Sequence, residues 1–316
     1  MAKHLCIIGG SGFVGHAITH VARAKGHYVT VACRHPERAR SIMVDGVRFS
    51  RIDIIDGKGL NEALAGSECV INLVGLLFEK GRYTFEATHV QGTRHILDTC
   101  RNLGIKQYIH MSALGADRTS ASAYARTKAE AEEKVRESGL RWTIFRPSII
   151  YGAGDSFFNK FKKMSQFLPV LPVIAGSTRF QPVWVNDVAG AFVQCVANRH
   201  VYEKTFELGG PKIYTFKELL ELLMKTLHRQ RLLLPVPPAM AKVMAAVMQY
   251  LPTPPLTPDQ LILLQRDNVV EGEAFPKRFG SPARLEEILP TYISGPQVSQ
   301  LQQRMDYYRK HYWNTP

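Results

Sequence analysis

The chain has 316 residues, 45% hydrophobic and 21% charged, the composition of a folded globular protein with length for one large domain and a smaller lobe. Forty lysines and arginines against 27 acidic residues give a net charge of +13, which fits an anionic partner such as a nucleotide, acidic lipid surface or nucleic acid, or solubility alone. No apolar run approaches the ~20 residues of a membrane span; dispersed basic residues without aromatic interleaving argue against a nucleic-acid module; and five scattered cysteines argue against a disulfide framework or metal site.

The first strand is expected at 4–9, so close to the start that no cleaved leader is expected, which favours a cytoplasmic location. It runs into Gly9-Gly10-Ser11-Gly12-Phe13-Val14-Gly15 and a helical pattern over 13–25. Strand, then G-x-x-G-x-x-G, then helix is the geometry that cradles a dinucleotide pyrophosphate. Gly9 and Gly12 permit the tight turn and close backbone approach, and Gly15 lets the helix pack on the strand. The helix start at Phe13 and Val14 offers free N–H groups and positive dipole. A second strand over 28–33 ends at Cys33-Arg34. An NAD-preferring site places a carboxylate about 20 residues beyond the glycines. Here Arg34 stands nineteen residues after Gly15, and the first carboxylate is Glu37. A guanidinium fork suits the 2′-phosphate of NADP, with Arg38 as a second candidate; a solvated arginine on the rim is the alternative.

A helix is expected over 36–43, a third strand over 46–52, a helix over 58–65 and a fourth strand over 69–74. Asp53, with Ile54 beside it, is placed to accept from the adenine amino group. Leu73, Val74 and Gly75 let backbone approach the cofactor at the end of the fourth strand. A helix over 84–103 precedes the fifth strand, 107–111, which ends at Ser112. Tyr124 and Lys128 then open a helix over 123–138. Four apart, they share one face, and an ammonium near a phenol favours phenolate. Such a tyrosine can exchange a proton with a carbonyl while hydride moves to or from a nicotinamide, with Ser112 holding the carbonyl oxygen. The sixth strand is expected at 141–146, and Gly104 and Gly139 close the helices before their strands. Apolar strands separated by helices predict an α/β fold, a doubly wound parallel (Rossmann) sheet with a smaller, mainly helical C-terminal lobe.

After Tyr151 prolines cluster and the pattern changes. The expected division is a nucleotide domain over 1–154, to which 180–210 returns, and a lobe of 155–179 and 211–316. A helix at 187–197 and a strand at Thr205–Leu208 belong to the return. In the lobe, Thr215 and Glu218 have capping-box spacing for a helix to His228. Leu232–Pro237 and the helix Ala239–Tyr250, with Met240, Met244 and Met248 four apart after Arg229 and Arg231, read either as a lipid- or quinone-facing segment or as a packed lid. The stretch after Thr291 is left unplaced. His16 and His20 read as a packed or solvated helix face, with no metal expected. Glu130, Glu132, Glu133 and Glu137 read as a solvated face, which favours a monomer or weak dimer.

The motifs together resemble the short-chain dehydrogenase/reductase superfamily over roughly 4–210. Phe145-Arg146-Pro147-Ser148-Ile149-Ile150-Tyr151-Gly152 is similar to the loop after the sixth strand in extended and atypical members, where the proline region contacts the nicotinamide amide. Phe180–Ala189 matches as well. His89, within Thr88–Thr93, stands where epimerase-type members usually carry an active-site Asn. Pro254–Leu261 and Asp267–Val270 extend the resemblance toward the NADPH-binding accessory-subunit group of respiratory complex I and its bacterial relatives. The resemblance implies NADP(H) as cofactor and a small or lipophilic, quinone-related substrate handled by Ser112, Tyr124 and Lys128. It equally implies a second role, a non-catalytic NADPH-binding accessory or assembly factor peripheral to the membrane or to a respiratory complex.

Overall fold

The computed structural model describes residues 1–39 and 44–294. Seven parallel strands form one sheet: β1 (His4–Ile8), β2 (Tyr28–Cys33), β3 (Val47–Arg51), β4 (Cys69–Asn72), β5 (Gln107–Met111), β6 (Arg141–Pro147) and β7 (Lys204–Leu208). Their order is β7-β6-β5-β4-β1-β2-β3. The chain steps outward from β1 through β2 and β3, then returns to β4 on the other side. That reversal creates a topological switch point beside β1, where ligands of open parallel sheets bind.

The strands are apolar on both faces because helices cover both faces. Cys6, Ile8, Val70, Tyr108 and Ile144 form one core with Leu60 and Leu64 of α2 (Leu60–Leu64) and Ile96, Leu97 and Cys100 of α3 (Gly92–Asn102). The alternating residues Leu5, Ile7, Val31, Ile71 and Ile109 are also fully buried, as the two-residue pleat demands. Each such side chain contributes ~1.5–3 kcal/mol of burial. All five cysteines are free and buried; burial pushes the Cys100 thiol up to about 12, so it stays protonated and unreactive.

The remaining helices are α1 (Phe13–Ala24), α4 (Ala123–Arg136), α5 (Phe157–Phe167), α6 (Val185–Gln194), α7 (Phe216–Thr226), α8 (Pro238–Met248), α9 (Pro258–Leu263) and α10 (Leu285–Ile293). Two expectations change. Of the helix expected over 36–43, the described part begins as a 3-10 turn, Pro36–Arg38, and 40–43 lie outside the described residues, as does the stretch beyond 294. The first turns of the helix expected from 84 are a π-helix, Glu86–Gln91, that runs directly into α3.

The chain divides into two compact units, the first Met1–Pro147 with Val188–Leu208 and the second Ser148–Asp187 with the residues from Gly209 onward. In the second unit, short strands pair Ile150–Tyr151 with Val183–Trp184 and Val170–Val173 with Leu232–Pro235, both parallel. The Asp267–Val270 segment ties this unit together. Asn268 donates its amide to the Arg179 carbonyl at 2.8 Å, and its side chain accepts from Ser148 Oγ at 2.6 Å. Arg179 pairs with Asp267 at 2.7 Å, and Val270 donates to Gln181 Oε1 at 3.0 Å. The capping box at Thr215 and Glu218 forms as the spacing predicts.

Asp187, in the first turn of α6, accepts the Ala283 amide at 2.8 Å. Burial pushes its carboxyl up to about 7, against that hydrogen bond. The folded protein therefore holds a proton that the unfolded chain has released, and stability falls as pH rises from about 4 to about 7. Asp187→Asn, which keeps the acceptor and removes the charge, is expected to raise the melting temperature at pH 8. Thermal melts should show that gain shrinking toward pH 4; an equal gain at both pH values would refute the assignment.

Candidate active site

The glycine turn closes onto the end of β1. Gly9 adopts φ +80° and donates to the Ala32 carbonyl at 2.9 Å, while Gly12 donates back to Gly9 at 3.0 Å. A Cβ on Gly15 would lie 2.5 Å from Gly10 Cα, so α1 crosses β1 at a distance only two glycines allow. The importance of Gly10 is thus a matter of packing. Gly12 caps α1 without a side-chain hydrogen bond, and its first turn, from Phe13 and Val14, contains no acidic residue. Donor-rich backbone of this kind suits a phosphate. Gly9 faces Leu73 and Val74, with a Cβ placed 3.5 Å from each. Asn72 shapes that neighbouring bend by accepting the Val74 amide and donating to the Tyr108 hydroxyl at 2.8 Å.

Arg34 follows β2 at the rim of a cavity of about 420 Å³ lined by four cations, Arg34, Arg51, Lys58 and Arg82, against Asp53 and Asp56. Its guanidinium stacks 4.3 Å from the centre of the Tyr83 ring, a contact typical of arginine. Asp53 is occupied: Tyr83 Oη donates to its Oδ2 at 2.9 Å, Arg82 pairs with the same oxygen, and the Ile55 amide reaches Oδ1 at 3.0 Å. Ile54 turns away from the cavity. Its side chain packs in the core against Gly92, and its carbonyl accepts from His95. Arg82 and Tyr83 carried no sequence signal, because the loop that delivers them follows β4, not β2 or β3.

The second cluster sits at the ends of β4, β5 and β6. Lys128 is buried, and its Nζ donates to the Met111 carbonyl at 3.1 Å and the Val74 carbonyl at 3.4 Å. Gly75 gives it room, since a Cβ there would lie 3.1 Å from Nζ. Burial lowers its pKa to about 8, with Glu132 opposing. Tyr124, one turn earlier, is half-buried, and its ring meets His89 edge-on at 5.4 Å and Phe85 at 5.8 Å. Ser122 caps α4 by accepting the Ala125 amide. Pro147 ends β6, where its carbonyl accepts the Leu114 amide at 3.0 Å.

His89 proves to be a structural tie. The Leu76 amide donates to Nε2 at 3.1 Å, so the proton sits on Nδ1, which donates to Thr127 Oγ1 at 2.9 Å. Burial and the nearby Lys128 push its pKa down to about 2. A neutral ring therefore joins the loop after β4 to α4.

The acidic face expected to be solvated is corrected at Glu132, which has no exposed surface. Arg146 of β6 grips it bidentately, both bonds 2.7 Å, and Arg136 adds a third at 2.6 Å. Burial alone raises this carboxyl, but the hydrogen bonds from Arg146 and Arg136 hold it below the usual range. Ser112, expected to hold a substrate carbonyl, is itself buried at the end of β5, and among the described residues its Oγ has no hydrogen-bond partner.

Residues 9–162 match the NAD(P)H-binding family and 116–263 the RmlD substrate binding domain. The chain is 32% identical over 285 residues to the Arabidopsis thaliana mitochondrial NADH dehydrogenase [ubiquinone] 1 alpha subcomplex subunit 9, covering 85% of this chain and 71% of that protein. It is 27% identical over 194 residues to the ceramide reductase of Caulobacter vibrioides, covering 60% and 59% respectively. The UDP-glucose 4-epimerase of Thermus thermophilus in complex with NAD superposes with a TM-score of 0.66 over 92% of this chain and 97% of that one, at 19% identity, a likeness of fold.

The lowered Lys128 pKa means that the unfolded chain binds the additional proton between pH 8 and 10.5, so this group destabilises the fold at neutral pH. Lys128→Met is expected to raise the melting temperature at pH 7, with the gain declining as pH climbs through 8 toward 10. A variant less stable than the wild type at pH 7 would show that the two carbonyl contacts outweigh desolvation.

Proposed function

The chain belongs to the atypical branch of the short-chain dehydrogenase/reductase superfamily, with the complex I subunit relatives it resembles, and we propose that it binds NADP(H) and catalyses reduction or epimerase-like chemistry on a small or lipophilic, quinone-related carbonyl compound. The reading rests on one observation above others: a buried ammonium, Lys128, one helical turn from the half-buried Tyr124 at the carboxyl edge of the sheet. Interior lysines destabilise the fold, so a buried, unneutralised one at a sheet edge is a functional candidate.

The glycine turn at Gly9, Gly12 and Gly15 fits a pyrophosphate, and Arg34 above its cationic cavity fits a 2′-phosphate. Leu73, Val74, Gly75 and Pro147 would border the cofactor at the ends of β4 and β6. The cofactor supplies or accepts the hydride when bound. Tyr124 gives its phenolic proton to the carbonyl oxygen as the carbonyl carbon is reduced, and Lys128 stabilises the phenolate that remains. Ser112, whose buried Oγ has no partner among the described residues, would hold the carbonyl oxygen.

The relatives also favour a second reading. The protein would keep NADPH as a structural ligand in an accessory or assembly role, as the respiratory-complex name of the Arabidopsis relative suggests.

Calorimetric titration with NADPH and NADH, followed by assays of NADPH oxidation with a soluble quinone and an aliphatic ketone, tests both. Arg34→Ala is expected to weaken NADPH about ten- to a hundredfold, the worth of a charge-assisted contact, and to leave NADH unchanged. Tyr124→Phe is expected to lower turnover by about 10²–10⁴ with NADPH affinity retained. Tight NADPH binding with no turnover in wild type, and no effect of Tyr124→Phe, would favour the accessory role. Equal affinity for NADH and NADPH, unaffected at Arg34, would remove the phosphate assignment.

A further inference from the structure

Helix α8 is apolar on both its buried and its exposed faces. Ala241 and Ala245 are buried against Leu256 and Leu261, with half-buried Met248 packed on the same cluster. The outward face is apolar as well: Met240 is 56% exposed, Val243 65% and Val247 66%, and Tyr250, just beyond the helix, is 84% exposed. These positions are three or four apart and form one outward stripe. An ordinary surface helix of a globular protein turns polar residues outward, and exposed apolar surface of this kind marks an interaction site.

The paired strands that lead into α8 repeat the pattern. Leu232 and Leu234, two residues apart, share a strand face by the pleat, and both are more than half exposed. Leu232 stands in register with Val170, also exposed, and Phe167 just upstream is 83% exposed. Val236 and Pro237 alone separate this ribbon from the first residue of α8.

Charge identifies the occupant. Residues 156–178 contain Lys160, Lys162 and Lys163 and no acidic residue; residues 222–258 contain Lys225, Arg229, Arg231 and Lys242 and no acidic residue. Arg229 and Arg231 remain half-exposed while bonding the carbonyls of Lys162 and Ser165 near the end of α5. A second copy would set cations against cations. An anionic lipid surface matches both features, taking the apolar side chains into the acyl boundary and the cations among the headgroups. Among the described residues no helix is long and apolar enough to cross a membrane, so the contact is one of lying on the surface. We propose that α8 and the adjoining Val170–Val173/Leu232–Pro235 ribbon dock the protein on anionic bilayers. This inference is independent of the cofactor and of catalysis.

The test is flotation of the full chain with vesicles of phosphatidylcholine alone and of phosphatidylcholine mixed with phosphatidylglycerol. Wild type should float with the mixed vesicles and not with phosphatidylcholine alone. The double variant Val243→Asp, Val247→Asp should bind at least about tenfold more weakly, with circular dichroism and NADPH affinity unchanged. Lys242→Glu should weaken binding by roughly fivefold or more, the worth of at least one surface cation. Three results would overturn the proposal: no flotation with the mixed vesicles, flotation of the double variant equal to wild type, or a concentration-dependent dimer that the double variant abolishes while vesicles bind neither form.

Discussion

A carboxylate with no solvent contact, held by two guanidinium groups, decides where α4 sits. Glu132 lies on that helix and Arg146 on β6, so their bidentate bond fixes the rotation of the helix against the sheet. Tyr124, Lys128, Glu132 and Arg136 follow one another at intervals of four and share a single stripe. Once Glu132 is fixed, Lys128 arrives under the ends of β4 and β5, and Tyr124 reaches the edge. Buried ion pairs add little net stability, because desolvation offsets the attraction. Their worth here is geometric, since the fork of Arg146 accepts the carboxylate in one orientation.

The surrounding charges are arranged by exclusion. Lys128 brings a cation into the interior, and two histidines near it, His89 and His110, are pushed to pKa values of about 2 and about 3, chiefly by burial and then by that lysine. Both are neutral at any physiological pH. His89 contributes shape and two directed hydrogen bonds in place of charge, and Tyr124 packs against its ring edge.

Much of the first unit was legible because its signals are local. The glycine turn, the apolar strands and the helix-ending glycines Gly104 and Gly139 each act within a few residues, and the sheet followed from their alternation. Tyr124 and Lys128 were legible for the same reason. What escaped depends on contacts between distant segments. Tyr83 reaches Arg34 across 49 residues of chain, and nothing near either residue announces it. Glu132 looked like one of four solvated glutamates because a helix surface pattern cannot reveal an arginine supplied by another strand. In the second unit, the Asp267–Val270 segment read as a family signature, and its physical role is to bind the strands around Ser148 and Gln181.

The π-helix at Glu86–Gln91 has one more residue per turn than the helix it feeds. A residue added or removed in a helix rotates everything before it by about 100° relative to everything after it. Phe85 and His89 look toward Tyr124, while Ile96, Leu97 and Cys100 look into the core. In a regular α-helix Phe85, His89, Ile96 and Cys100 would fall on one face, and the π turn shifts the first two out of the register of the core stripe. Deletion of one residue between 86 and 91 would leave the core face intact and swing the histidine away from α4. The site is in this sense indexed by a count of residues, and a helix that reads as continuous in sequence holds two reading frames.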